Sequence, residues 1–161
     1  MEENQKQLEQ VLKEVERAVA NMQLDKDATP FRTLRNQMPW PAEGRLVRKY
    51  GSRSPDGIGS TGIVIQSAVN TPVKAIHHGR VVFSDWLRGF GLLMIVDHGD
   101  GFMSLYGFNQ ALLKDTGDWV NEGDVLASVG NSGGQREGGL YFEIRYKGKP
   151  DNPLLWLKKN S

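Results

Sequence analysis

A mainly β, antiparallel domain preceded by an amphipathic helix is the fold class this sequence predicts. From Gly44 onward, apolar residues recur with a period of two, in short runs punctuated by Gly, Asp and Asn. Gly is abundant, 19 of 161 residues, with 7 Pro, as a chain of many turns and short strands requires. Residues 2–24, by contrast, hold no Gly or Pro, and their apolar residues return at three- and four-residue steps.

The elements follow in chain order. Leu8, Val11, Leu12, Val15, Ala18, Val19 and Met22 share one face of a helix, with Glu, Gln and Lys on the other. Residues 1–28 therefore read as a helix docked on the following domain as a restraint, or as the end of a coiled coil; the length does not choose between them. Residues 29–44 read as a short helix and a Pro-rich linker. Thr29-Pro30 is an N-cap with Pro at the first helical position, and Met38-Pro39-Trp40-Pro41 is the stop. Residues 45–161 form the β-domain. Its expected strands are Leu46–Tyr50, Gly62–Gln66, Pro72–Ile76, Arg80–Leu87, Leu92–His98, Met103–Phe108, Val125–Val129 and Leu140–Tyr146. Asp100-Gly101 and Lys147-Gly148 are turn dipeptides, and 117–125 reads as a turn-rich rim.

Composition removes several functions. With 20 basic and 19 acidic residues the formal charge is +1, which offers no field for nucleic acid or anionic lipid. No stretch approaches the ~18 apolar residues of a membrane span, and Met1-Glu2-Glu3-Asn4 has no basic, apolar leader, so no export signal is expected in this chain. The absence of Cys excludes thiolate zinc sites and Cys nucleophiles. With only 3 His, two of them the adjacent pair His77-His78, a three-His zinc site is unexpected, because successive strand residues point to opposite faces. His77-His78-Gly79 reads instead as a surface turn. Asp97 and His98 fail as a hydrolase pair for the same reason of alternation. The glycine-rich loop 130–139 lacks the Lys-Ser/Thr and following helix of a phosphate loop, so it reads as a tight or flexible loop.

The blocks Gly62-Ile63-Val64-Ile65, Thr71-Pro72-Val73-Lys74-Ala75, Gly89-Phe90-Gly91, Asp97-His98-Gly99, Leu105-Tyr106, Val120-Asn121-Glu122-Gly123 and Leu140-Tyr141-Phe142-Glu143-Ile144 follow one order. That order resembles the LytM (lysostaphin-type) zinc peptidases of cell walls, over about Trp40 to Trp156. The resemblance implies the fold and denies the reaction. Where active members carry His-x-Gly-x-Asp, this chain has Ser60 and Val64; where they carry His-Leu-His-Phe-Glu-Ile, it has Gly139 and Tyr141; their third His reads Phe108. Val and Gly have no side-chain donor and Ser is a poor zinc ligand, so no cofactor is expected.

The stretches 85–91, 104–110, 130–134 and 140–145 are particularly similar to the EnvC group of murein-hydrolase activators. That resemblance implies a periplasmic, non-catalytic activator of zinc-dependent N-acetylmuramoyl-L-alanine amidases in cell separation, with the coiled coil of the full-length protein engaged by FtsE–FtsX. It further implies that the former catalytic groove takes the amidase's inhibitory helix. The expected groove is lined by Val64, Phe90, Leu93, Tyr106 and Tyr141, with Ser60 and Thr61 beside it and Arg145 at its edge; ordinary core packing is the competing reading for Phe90 and Tyr106. Two alternatives stand beside it: a non-catalytic peptidoglycan-binding module and a cryptic zinc endopeptidase.

Overall fold

The computed structural model describes residues 2–19, 30–51, 61–132 and 137–159, with residues 2–5, 18 and 19 described as backbone only. One helix, α1 (Glu2–Val19), precedes the strands β1 (Arg45–Arg48), β2 (Ile63–Gln66), β3 (Pro72–Lys74), β4 (Gly79–Leu87), β5 (Gly91–Gly99), β6 (Phe102–Leu112), β7 (Trp119–Val120), β8 (Val125–Val129), β9 (Gly139–Tyr146) and β10 (Lys149–Asp151). The strands form a 10-stranded sheet with the central order β1-β2-β9-β6-β5-β4-β7; β10 adds to β9, and β8 joins β3 to β6. Every strand pair is antiparallel. The described residues are thus mainly β, with one amphipathic helix ahead of the strands.

Turn chemistry sets two of the hairpins. A two-residue hairpin twisted to match its strands needs positive φ at both central residues. Asp100 (φ 54) and Gly101 (φ 88) supply this between β5 and β6, and Lys147 (φ 50) and Gly148 (φ 80) between β9 and β10. The rim expected at 117–125 contains the short β7, which pairs with the start of β4. The helix expected from Thr29 contracts to one 3₁₀ turn, Phe31–Thr33, with Pro30 as its extended N-cap rather than its first residue and Leu34 closing it by donating its N–H to the Phe31 carbonyl; Thr29 itself lies outside the described residues.

Strand alternation divides the core between the two faces of the sheet. On one face Ile63, Ile65, Met94, Val96, Phe142 and Ile144 are buried with Phe31, Phe102 and Trp156. Trp156 is anchored from two sides: its Nε1 donates to Asp151 Oδ2 (3.0 Å), and its ring meets Phe31 at 4.9 Å and Phe102 at 5.2 Å. On the other face Leu93, Ile95, Met103 and Leu105 are buried beneath α1.

The expected surface turn at His77-His78-Gly79 is a correction. His77 is buried, edge-on to the Phe31 ring and 5.7 Å from the His98 ring. His98 is buried too. Its Nδ1 donates to the His78 carbonyl (2.9 Å), and its Nε2 lies 2.7 Å from Ser104 Oγ, itself 2.7 Å from the Tyr106 hydroxyl. Aromatic neighbours supplied by the 3₁₀ turn and β6 make this pair core rather than surface.

Two expectations follow. Trp156→Ala removes the largest fully buried side chain and costs about 3–5 kcal/mol, read from urea denaturation. Burial drives the His98 pKa from 6.5 down to about 3, against a backbone hydrogen bond that favours the cation. The fold therefore prefers neutral imidazole: this contribution is complete above pH 6.5 and is lost as pH falls toward 3. Each pH unit inside that window removes up to ~1.4 kcal/mol. Urea midpoints at pH 7 and pH 4.5 will fall more steeply for the native chain than for His98→Gln.

Candidate functional site

The groove is built on β9, which lies between β2 and β6. Its period of two sends Leu140, Phe142 and Ile144 into the first core face and Tyr141, Glu143 and Arg145 toward α1. Val64 of β2 stands opposite Tyr141, and Leu105 and Met103 of β6 stand opposite Glu143 and Arg145. The β6 alternation breaks at Phe108, where φ is 68. That break puts the Phe108 ring on the helix side with Leu105 rather than on the Tyr106 side. Phe90 and Phe108 then flank the Tyr141 ring at 5.4 and 5.5 Å.

A buried polar chain runs through this apolar surface. Arg145 Nε donates to Glu143 Oε1 (2.6 Å). Glu143 Oε2 accepts from the Tyr141 hydroxyl and from Thr61 Oγ1 (3.1 Å), and the two hydroxyls lie 3.0 Å apart. Gly62 makes room for this cluster: a Cβ there would stand 2.7 Å from Glu143 Cγ and 2.5 Å from the Phe142 carbonyl oxygen. Burial, then the neighbouring Glu143 carboxylate, pushes the Tyr141 pKa well above its usual value, so the phenol stays a donor. Burial opposes the Arg145 charge, but Glu143 and Glu9 outweigh it and raise its pKa.

Helix α1 covers the groove. Leu8, Leu12 and Val15, at i, i+4 and i+7, are buried in one cluster with Phe90, Leu93, Phe108 and Tyr141, and Val64 packs against it. Glu9, on the edge of that stripe, binds Arg145 Nη1 at 2.6 Å.

Of the expected groove residues, Val64, Phe90, Leu93 and Tyr141 share this surface, and Thr61 bonds beneath it. Ser60 lies outside the described residues. Two placements are corrected. Tyr106 sits on the opposite face, packed on Phe142 at 5.3 Å with its hydroxyl accepting from Ile76 N (3.3 Å). Arg145 is not at an exposed edge; its side chain is 1% exposed, beneath α1. Glu143, fully buried at the centre, was not singled out. Its signal was present in the sequence: an acid two residues from both Tyr141 and Arg145 on one strand face. In the loop 130–139, Ser132 ties β5 to β6, accepting from Leu92 N (3.1 Å) and donating to the Asn109 carbonyl (2.7 Å); residues 133–136 lie outside the description.

The donor set here does not fit a zinc ion. Val64, Gly139 and Phe108 present no donor atom, and the Tyr141 hydroxyl is committed to Glu143. Among the described residues no three His, Cys, Asp or Glu lie together as a metal would need.

Comparison with known proteins agrees with this architecture. The profile of peptidase family M23 matches residues 59–153. The murein hydrolase activator EnvC of Escherichia coli strain K12 is 46% identical over 123 residues, covering 76% of this chain and 29% of that protein. The murein hydrolase activator NlpD of the same organism is 37% identical over 131 residues, covering 81% and 32%. The chain therefore spans about a third of the length of these relatives. Among solved structures, the catalytic domain of the peptidase lysostaphin from Staphylococcus simulans superposes with a TM-score of 0.65 at 23% identity, covering 69% of this chain and 90% of that one. Fold, strand order and profile together place this chain in peptidase family M23.

Proposed function

We propose that this chain is a non-catalytic activator of cell-wall hydrolysis that binds an N-acetylmuramoyl-L-alanine amidase through the β9 groove. The observation that carries the reading is the chemistry of the groove. Where the resemblance expects metal ligands there is an apolar, aromatic surface, and an amphipathic helix lies on it. A surface that takes one such helix suits another. The relatives named as murein hydrolase activators support the same direction.

In this reading α1 is a restraint. While it is docked the amidase cannot enter, so the apparent affinity is reduced by the fraction of open chains. The amidase segment that enters is its own inhibitory helix, whose removal opens the amidase zinc site. Shifting that enzyme from 1:99 to 99:1 open needs about 5.5 kcal/mol of differential binding, which a few buried aromatic anchors provide. In a longer protein, FtsE–FtsX pulling on a coiled coil continuous with α1 would supply the release, in the periplasm.

Dye release from labelled wall tests the reading. Chain plus amidase will release dye, whereas chain alone, with or without added zinc, will not. Release by the chain alone would establish a hydrolase and overturn the proposal; binding of the chain to wall without any stimulation of amidase would favour the peptidoglycan-binding alternative.

Substitutions refine it. Val64→Asp will abolish stimulation with the fold retained, since Val64 is only partly buried at the groove. Tyr141→Ala will abolish it too, but at a cost of about 3–5 kcal/mol in urea denaturation, because it removes a buried ring and leaves the second Glu143 oxygen to Thr61 alone. Leu12→Asp, which undocks α1, will raise stimulation at limiting chain by about tenfold, the equivalent of ~1.4 kcal/mol of released docking energy.

A further inference from the structure

The helix that covers the groove carries charge as well as apolar residues, and the charge is placed. Glu143 spends one carboxylate oxygen on Arg145 Nε and the other on Tyr141 and Thr61. It therefore holds the Arg145 guanidinium from one side only. The Nη1 end reaches the Gly148 carbonyl (3.1 Å) and Glu9 Oε1 (2.6 Å), while Nη2, also buried, has no acceptor among the described residues. One turn pair further along α1, the Glu16 carboxylate lies against the β9–β10 turn: a Cβ added to Gly148 would stand 2.6 Å from its Oε1. That turn is basic, running Arg145-Tyr146-Lys147-Gly148-Lys149. The acidic edge of the helix thus faces the basic edge of the groove.

We infer that the groove selects its occupant by charge register as well as by apolar contact. A helix that displaces α1 carries apolar residues at i, i+4 and i+7 and carboxylates at i+1 and i+8, the places that Leu8, Leu12, Val15, Glu9 and Glu16 hold in α1. This rests on the groove reading above and adds the chemistry of the partner. Glu143 remains on Arg145 Nε whatever covers the groove, but an apolar helix lacking the i+1 carboxylate buries the Nη end with the Gly148 carbonyl as its one acceptor, and that loss of a charged partner in a buried site is costly. The unfilled Nη2 also leaves α1 beatable, because a carboxylate that takes both Nη1 and Nη2 gains a bidentate contact that Glu9 does not make.

The test uses the full chain carrying Leu12→Asp, whose groove is open, and a fluorescein-labelled peptide of residues 2–19 with the native sequence. Competition is read by fluorescence anisotropy with unlabelled native, Glu9→Gln, Glu16→Gln and Lys6→Gln peptides, and with overlapping 18-residue peptides from the amidase. The native and Lys6→Gln peptides compete equally, Glu9→Gln competes at least about tenfold more weakly, and Glu16→Gln is weakened less, because Glu16 faces the turn rather than the guanidinium. The amidase peptide that competes has Asp or Glu directly after its first apolar residue. Equal competition by native and Glu9→Gln peptides, or a competing amidase peptide without that carboxylate, overturns the charge rule and leaves the groove reading standing. If no peptide binds the open chain, the groove does not take a helix, and both readings fall.

Discussion

A charged, buried guanidinium is the constraint on which the groove depends. Arg145 lies under α1 with a side chain that is 1% exposed, and such a charge is tolerated only where carboxylates and carbonyls surround it. Glu143 must therefore be buried beside it, and Glu143 in turn needs Tyr141 and Thr61 to satisfy its second oxygen. That set fixes the Tyr141 ring between Phe90 and Phe108 and leaves the surface around it apolar. Glu9 completes the set from α1, so the covering helix is held by an ion pair at its edge and by aliphatic packing along its middle.

The same arrangement shows what holds a scaffold of the peptidase family in shape here. The hairpin turns and the two-faced sheet persist because they depend on glycine conformations and on aliphatic alternation, neither of which involves a metal. Of the positions where the resemblance expects ligands, Val64, Phe108 and Tyr141 make packing and hydrogen-bond contacts. The cost of burying polar groups there is offset by a network of hydroxyls, carboxylate and guanidinium in which Arg145 Nη2 alone is left without an acceptor among the described residues.

Much of the fold was legible in the residues. The period-two runs located the long strands, and Asp100-Gly101 marked its hairpin because few other pairs accept positive φ twice. The short strands β7 and β10 were not legible, since two or three residues, one of them Pro150, carry no periodic signal. In the site, the resemblance pointed to Tyr141 and Arg145, and the period of two along β9 puts both on the α1 side of the sheet. Tyr106 was misplaced because it and Phe108 share a parity that the positive φ at Phe108 breaks, and a backbone irregularity of that kind leaves no mark in composition. The burial of Arg145 was hidden for a different reason: it depends on a helix more than a hundred residues away in sequence, Glu9 to Arg145, and on an acid whose role shows only once the strand is seated.

Whether α1 leaves the groove when a partner arrives is measured most directly by amide hydrogen exchange on the full chain, with and without the amidase. If α1 is displaced, protection of its amides falls on addition of amidase while protection along β9 and β2 is kept or increased. Stimulated wall hydrolysis with α1 protection unchanged would contradict that displacement.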